Sequence, residues 1–179
     1  MGAENVVAGG TFQDIVELYS GRVFNLALRM LGNREDAEEA TQDVFMKVHD
    51  SMRNFRGDSS LGTWIWRITT NVCLTRRKKK KIASVSLDDI EVDPPDGRID
   101  AHSKQERTFF ARQRTDLIDQ NISMLPPNES AVITLFYIEE LSYEEISDIL
   151  KMPTGTVSTL LHRGRRRLGQ LLRQMKEEL

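Results

Sequence analysis

The sequence predicts an all-α protein made of two small helical domains. Apolar residues recur at intervals of three and four along most of the chain, which is the period of a helix with one buried face. Residue types that favour helix ends flank these stretches. One acidic segment, SLDDIEVDPPDGRID, lacks this period and contains a Pro-Pro pair. We therefore predict an N-terminal domain over residues 11–81, a flexible acidic linker over 82–103 and a C-terminal domain over 104–179.

The N-terminal domain contains three predicted helices. The first begins at Thr11 and ends at Gly32, because glycine readily adopts the left-handed conformation that closes a helix. Asn33 then caps the second helix, which is expected to run to about Asn54. A loop of polar and glycine residues follows, and a third helix begins near Leu61. This third helix leads into the cationic run RRKKKK.

The third helix carries two tryptophans with different expected positions. Trp64 fits the buried apolar stripe. Trp66 has two open interpretations: a core residue, or a platform on which the bases of a single nucleic-acid strand stack. Arg67 and Asn71 follow on the same helix and favour the second interpretation, since basic side chains follow phosphates and an amide can read a base edge. The lysine run by itself has a simpler interpretation, a soluble helix end.

The C-terminal domain is predicted to be a four-helix bundle that ends in a helix-turn-helix. Ser142 and Glu145 form a capping box ahead of a short amphipathic helix. The residues KMP interrupt its apolar face, and a second helix with a basic outer face begins near Thr154. In this motif the second helix enters the major groove of DNA, where its first residues meet base edges. An ordinary helical hairpin with a solvated basic face is the alternative.

Composition excludes several classes of protein. The net charge is only −2, but acidic and basic residues are segregated along the chain, which fits several different partners better than a nucleic-acid coat. Cys73 is the single cysteine, so an intrachain disulfide and a multi-cysteine zinc site are excluded. Neither a membrane span nor a secretory signal is expected, and a cytoplasmic location follows. The chain has no recognisable nucleophile, phosphate loop or metal-ligand spacing, so no enzyme activity or cofactor is expected.

Two long stretches resemble conserved regions of a known family. Asp36–Asn71 (DAEEATQDVFMKVHDSMRNFRGDSSLGTWIWRITTN) and Leu125–Leu168 (LPPNESAVITLFYIEELSYEEISDILKMPTGTVSTLLHRGRRRL) are similar to the second and fourth regions of the extracytoplasmic-function, or group IV, sigma factors of the sigma-70 family. The resemblance implies a protein that binds core RNA polymerase, directs it to specific promoters and helps open the DNA. It also implies three partners: promoter DNA, the polymerase with its β′ clamp helices and β flap, and an anti-sigma factor.

The resemblance assigns roles to three groups of side chains. The patch that grips the β′ clamp helices corresponds to Glu38, Glu39, Gln42 and Asp43. The element that melts the −10 promoter sequence and holds one strand corresponds to Phe55, Arg56, Ser60, Trp66, Arg67, Asn71, Arg76 and Arg77. Within it, Asn71 matches a position that contacts an unstacked base in relatives. Contacts to the −35 duplex are expected from Thr156, Ser158, Thr159, His162, Arg163 and Arg166.

The last helix departs from the family pattern at three positions. Many relatives carry basic residues where Ser158 and Leu160 stand, and alanine where Gly164 stands. Glycine inside a helix costs about 1 kcal/mol relative to alanine.

Two other functions are compatible with parts of the sequence: a helix-turn-helix regulator that acts without core polymerase, and an adaptor that binds proteins through its acidic helix and does not bind DNA.

Overall fold

The computed structural model describes residues 11–85 and 117–177, and these residues are helical apart from short connections. The N-terminal half contains α1 (Phe12–Leu31), α2 (Arg34–Ser51) with a 3₁₀ turn (Met52–Asn54), and α3 (Leu61–Val85). The C-terminal half contains α4 (117–123), α5 (Pro127–Tyr137), α6 (Tyr143–Leu150) and α7 (Thr154–Glu177). No strand occurs within these described ranges. The all-α class is therefore confirmed.

Hydrogen bonds confirm the predicted start and end of α1 and the predicted start of α2. Thr11 forms a capping box with Asp14, whose carboxylate accepts from the Thr11 backbone N–H at 2.7 Å. Gly32 ends α1 with a φ of 81°, which only glycine adopts without strain. Asn33 accepts from the backbone N–H of Asp36 at 2.7 Å and caps α2. Each of these bonds pairs a backbone group that a helix end otherwise leaves unpaired.

Two predicted boundaries differ from the structure. The second helix ends at Ser51, and the next three residues tighten into the 3₁₀ turn. The third helix continues to Val85, so residues 82–85 are helical although we predicted that the linker begins at 82. Lysines favour a helix and interact well with its negative C-terminal end, which explains the extension. The rest of the predicted linker, and the predicted C-terminal domain as far as residue 116, lie outside the described residues.

The N-terminal core lies between α1, α2 and α3. Fully buried side chains from all three helices meet there: Val23, Leu26, Ala27, Ala40, Val44 and Ile65. The alanines of α2 let this helix approach its neighbours closely, while the longer side chains of α1 and α3 fill the space. Burying each large apolar side chain contributes roughly 1.5–3 kcal/mol. This packing fixes the position of α2, which carries the acidic residues, relative to α3, which carries both tryptophans.

The two halves of the protein pack against each other. Helix α1 lies against α5, and α3 lies against α6. The buried apolar residues of both halves form one continuous cluster. A buried hydrogen bond crosses the contact, in which the Ser130 hydroxyl donates to the backbone carbonyl of Arg29 at 2.8 Å. The sides of α3 and α6 that pack together here therefore cover each other from solvent. No helix within the described ranges has an apolar stretch able to cross a lipid bilayer.

Candidate nucleic-acid interface

The helix-turn-helix is built by α6, a short turn and α7. Ser142 and Glu145 form the predicted capping box, with the Glu145 carboxylate accepting from the Ser142 backbone N–H at 2.8 Å. Lys151 ends α6 in the left-handed conformation, with a φ of 53°. The Ser147 hydroxyl then donates to the carbonyl of Met152 at 2.6 Å and secures the turn. Thr154 is the first residue of α7.

Helix α7 has one buried face and one exposed face. Val157, Leu161 and Gly164 are buried against the bundle. The outer face is exposed and carries all six residues expected to contact the −35 duplex: Thr156, Ser158, Thr159, His162, Arg163 and Arg166. Arg165 lies exposed beside them. A major groove is wide enough to admit a helix that is free on one side, so the geometry allows the predicted contacts.

The loop before α3 and the start of that helix present a second exposed surface. Arg56 and Asn71 are exposed, and Ser60 accepts a hydrogen bond from the backbone N–H of Thr63 at 3.1 Å. The half-buried ring of Phe55 packs on Trp64, with the ring centroids 4.9 Å apart and the rings tilted by 40°. The pair of rings, the exposed guanidinium of the next residue in the chain and the exposed amide two turns further along α3 together have the composition of a single-strand site.

The position of Trp66 rules out its predicted role as a stacking platform. Its side chain is 1% exposed, and its ring meets that of Tyr19 edge to face at 5.8 Å. Thr70 and Cys73, four and seven residues further on, are also buried. These three residues, at spacing i, i+4 and i+7, lie together on the core face of α3. Trp64 lies at the edge of the core instead, so the sequence analysis missed the more accessible of the two tryptophans.

Three predicted DNA-binding arginines of α3 are held by protein groups in this structure. Arg67 pairs with Asp148 of α6. Arg77 donates to the carbonyl of Met30 at 2.7 Å, and its partial burial lowers its pKa. Arg76 forms ion pairs with two carboxylates of α2. Each of these arginines must therefore leave its protein partner before it can contact DNA.

The acidic face of α2 consists of Glu38, Glu39, Gln42 and Asp43, and it lies beside the basic end of α3. Glu38, Glu39 and Gln42 are exposed and Asp43 is half-buried. Arg76 donates to Glu39 at 2.8 Å and to Asp43 at 2.5 and 3.1 Å. The hydrogen bonds that Arg76 donates to the Glu39 and Asp43 carboxylates raise the pKa of Arg76. The acidic face is thus partly neutralised from within the same domain.

Two features of the described residues concern possible metal ligands and the single cysteine. No group of three or more His, Cys, Asp or Glu side chains able to hold a metal occurs within them. Cys73 is 1% exposed, and burial raises its pKa to about 12. Its thiol therefore carries almost no nucleophilic thiolate near neutral pH.

Comparison with known proteins gives the same division of the chain. The family "Sigma-70 region 2" matches residues 15–82, and "Sigma-70, region 4" matches residues 115–168. The ECF RNA polymerase sigma factor SigW of Bacillus subtilis is 36% identical over 171 residues, covering 92% of this chain and 90% of SigW. RNA polymerase sigma-H factor of Pseudomonas aeruginosa is 28% identical, covering 93% of this chain and 89% of that protein.

Solved structures show the same fold. The sigma factor RpoE of Bartonella quintana, in complex with the anti-sigma factor NepR, superposes with a TM-score of 0.74 at 22% identity, covering 90% of this chain and 96% of that chain. CnrH, in complex with the cytosolic domain of CnrY, gives a TM-score of 0.59 at 19% identity, covering 91% and 88%. The two helical halves, the helix-turn-helix and the similarity to SigW along nearly the whole chain establish that this protein belongs to the ECF sigma factors of the sigma-70 family.

Proposed function

We propose that this sigma factor divides promoter recognition between α7 and the loop–α3 surface while α2 binds core polymerase. The observation that carries the proposal is the placement of the six candidate −35 residues on one exposed face of α7. The buried side of the same helix packs on α5, which fixes the orientation of that face.

For the −35 element, the first turns of α7 enter the major groove. Thr156, Ser158 and Thr159 lie in these turns and can hydrogen-bond to base edges. Arg163 and Arg166 lie further along the same exposed face and supply positive charge to the phosphates. Since Ser158 stands on this exposed face where many relatives carry a basic residue, fewer cations face the groove, and we expect a shallow dependence of −35 binding on salt.

For the −10 element, the surface beside Asn71 captures one strand after it opens. Unstacking a base costs about a few kcal/mol, while stacking a base on an aromatic side chain returns roughly 1–3 kcal/mol. Phe55 and Trp64 are the rings available for this stacking, because Trp66 is buried. Capture of an open strand therefore needs no nucleotide hydrolysis. The Asn71 amide then reads the edge of the captured base.

For polymerase binding, Glu38, Glu39, Gln42 and Asp43 meet the basic β′ clamp helices. Complementary charges across such a contact orient the partners and raise the association rate. The C-terminal domain meets the β flap. An anti-sigma factor completes the expected set of partners, since RpoE and CnrH, which share this fold, were solved with NepR and with the cytosolic domain of CnrY. The protein itself carries out no catalysis and acts by recruiting an enzyme.

Transcription in vitro with purified core polymerase tests this function. We expect promoter-specific transcripts only when this chain is added to the core enzyme. A regulator that shares the helix-turn-helix would bind duplex DNA unaided and would not support initiation. An adaptor that binds proteins through its acidic helix would neither bind duplex DNA nor support promoter-specific initiation. Sequencing the transcripts made after overexpression in the host would then identify the promoters.

A further inference from the structure

Helix α2 exposes a methionine on the same side as its acidic residues. Met46 is 66% exposed, the largest exposed fraction among the large apolar residues in the described ranges. The core side of α2 is formed by smaller residues, including Ala40 and Val44, which are fully buried. The ring of Phe45, the preceding residue, packs against this core. The Met46 side chain therefore points away from the core and contributes little to the stability of the free domain.

Met46 extends the line of residues proposed to bind the polymerase by one helical turn. It stands three residues after Asp43, four after Gln42 and seven after Glu39, and residues at these spacings share one side of a helix. Seven residues of helix span about 10 Å. A partner in an interface of standard size covers roughly 800 Å², which is a patch about 30 Å across. A partner that covers the three polar residues therefore covers Met46 as well.

The thioether is the apolar part of an otherwise polar face. The Glu39 and Asp43 side chains are 58% and 44% exposed, and Arg76 pairs with both of them. Methionine is enriched in the buried cores of interfaces, where charged residues are depleted. When a partner covers this face, the thioether leaves water without leaving a strong hydrogen-bonding group unpaired. Met46 therefore contributes apolar contact area at a point where its neighbours contribute charge.

Oxidation of the sulfur changes this contribution. Hypochlorous acid transfers chlorine to the sulfur lone pair, and water then replaces the chlorine to give the sulfoxide, chloride and two protons. The sulfur loses two electrons and the chlorine of the oxidant gains them. The product is polar and chiral in place of a flexible apolar group, and methionine sulfoxide reductases reverse the reaction. Covering the sulfoxide against an apolar surface leaves a strong acceptor without a partner.

The described methionines differ in access to an oxidant. Met30 is fully buried, and Met52 and Met152 are half-buried. Met124, which follows α4 in the other half of the protein, is 53% exposed. An oxidant must reach the sulfur, so Met46 and Met124 are expected to react before the other three. Met124 lies outside the polymerase-binding face of α2 and provides a matched control.

We propose that Met46 is a reversible oxidation site through which a hypohalous acid lowers the affinity of this sigma factor for core polymerase. The unmodified thioether packs against the partner, and the sulfoxide opposes that contact. Reduction of the sulfoxide restores binding without new protein synthesis. This inference rests on the polymerase-binding role proposed for α2, and it adds a chemical modification to that surface.

Oxidation of the full chain followed by polymerase binding tests this inference. The chain is treated with hypochlorous acid in small molar excess and quenched with free methionine before it meets untreated core polymerase. Peptide mass spectrometry locates the sulfoxides, and fluorescence anisotropy measures the Kd. We expect a sulfoxide at Met46 and a Kd about tenfold higher, because part of the apolar burial is lost. Methionine sulfoxide reductases A and B should restore the original Kd, which separates this effect from oxidation of Trp64 or Cys73.

Substitutions assign the effect to one sulfur, with each variant compared with its own untreated form. Oxidation should raise the Kd of Met46→Leu less than twofold, whereas Met124→Leu should lose affinity as the parent does. Met46→Gln places a polar group at the same exposed position, and it should weaken binding without any oxidant. Circular dichroism of each protein verifies that it is folded.

Three results would overturn the inference: no sulfoxide at Met46, an unchanged Kd after its oxidation, or an equal loss in oxidised Met46→Leu. Gln42→Ala separates these failures from failure of the proposed function. Weaker binding by Gln42→Ala without an effect at Met46 would remove the oxidation site and leave the polymerase-binding face in place. No effect from either change would remove the role of α2 itself, and the inference with it.

Discussion

A methyl group on Gly164 would lie 2.9 Å from Cγ1 of Ile133, because α7 and α5 approach each other closely at this point. Contacts this short do not occur between real side chains, so Gly164 is required by packing. The sequence by itself indicates only a cost in helix propensity at this position. The basic outer face of α7 is held in its orientation by this close contact on the opposite side.

Gly164→Ala should therefore destabilise the protein even though alanine favours a helix. The propensity gain is about 1 kcal/mol, whereas overpacking a core costs typically 1–3 kcal/mol. We expect a net loss of about 1 kcal/mol in the free energy of unfolding, measured with urea. Gly169→Ala on the same helix, where nothing lies within 4 Å, is the control, and it should stabilise the protein. Equal stabilisation by both changes would show that α5 moves aside freely.

The two tryptophans should differ in accessibility and in their contribution to stability. With Trp64→Phe, the remaining fluorescence comes from buried Trp66 and should resist quenching by acrylamide; with Trp66→Phe, it comes from Trp64 and should be quenched more readily. Trp66→Ala should cost about 3–5 kcal/mol of folding free energy, and Trp64→Ala clearly less. Similar quenching of both single-tryptophan proteins would contradict the assignment of Trp66 to the core.

Asn71→Ala should impair promoter opening more than duplex binding. The exposed Asn71 amide is proposed to hold a base only after that base has left the stack, so the −35 contacts are unaffected. The measurement is permanganate reactivity of promoter thymines with the reconstituted holoenzyme, alongside a binding assay on the same DNA. Gln42→Ala, on the polymerase-binding face, should instead reduce both signals together. Unchanged thymine reactivity in the Asn71 variant would remove that residue from the site.

Arg76→Gln should speed the association with core polymerase. Arg76 neutralises Glu39 and Asp43 in the free protein, and its removal leaves more negative charge to steer the acidic face toward a basic partner. We expect a rate constant higher by about two- to fivefold at low ionic strength, measured by stopped-flow fluorescence. Lys79→Gln, an exposed change on the same helix, is the matched control. Slower association would mean that Arg76 holds the carboxylates in the geometry that the polymerase needs.

Ionisation of Cys73 should make the folded state less stable at high pH. Because burial raises the pKa of this thiol to about 12 in the folded protein, the unfolded chain releases its proton first, near an ordinary thiol pKa of about 8.5. The stabilising contribution is complete below that value and falls by about 1.4 kcal/mol per pH unit above it, until the folded pKa is reached. The free energies of unfolding of the parent and of Cys73→Ala should therefore converge as the pH rises from 8 toward 10. A constant difference between these two free energies would contradict the raised pKa of Cys73.

Single-helix features were predictable because their causes are local. The caps at Thr11, Asn33 and Ser142 depend on side chains within three residues of the helix start. The apolar stripes follow from helical spacing, and the two conserved regions gave the family. The sequence does not decide whether Trp66 is buried, because neighbouring positions of α3 fall on either side of the edge of its buried face. The helix that packs against α3 determines where that edge lies.

The sequence by itself determined the helices, the helix-turn-helix, the exposed face of α7 and the family. Only the tertiary structure decided which tryptophan is buried, why residue 164 is glycine, and which partners hold Arg22, Arg67 and Arg76. The physical reason is the range of the interactions. Caps and stripes arise between residues a few positions apart, whereas these contacts join residues between 31 and 117 positions apart along the chain, so that no local pattern encodes them.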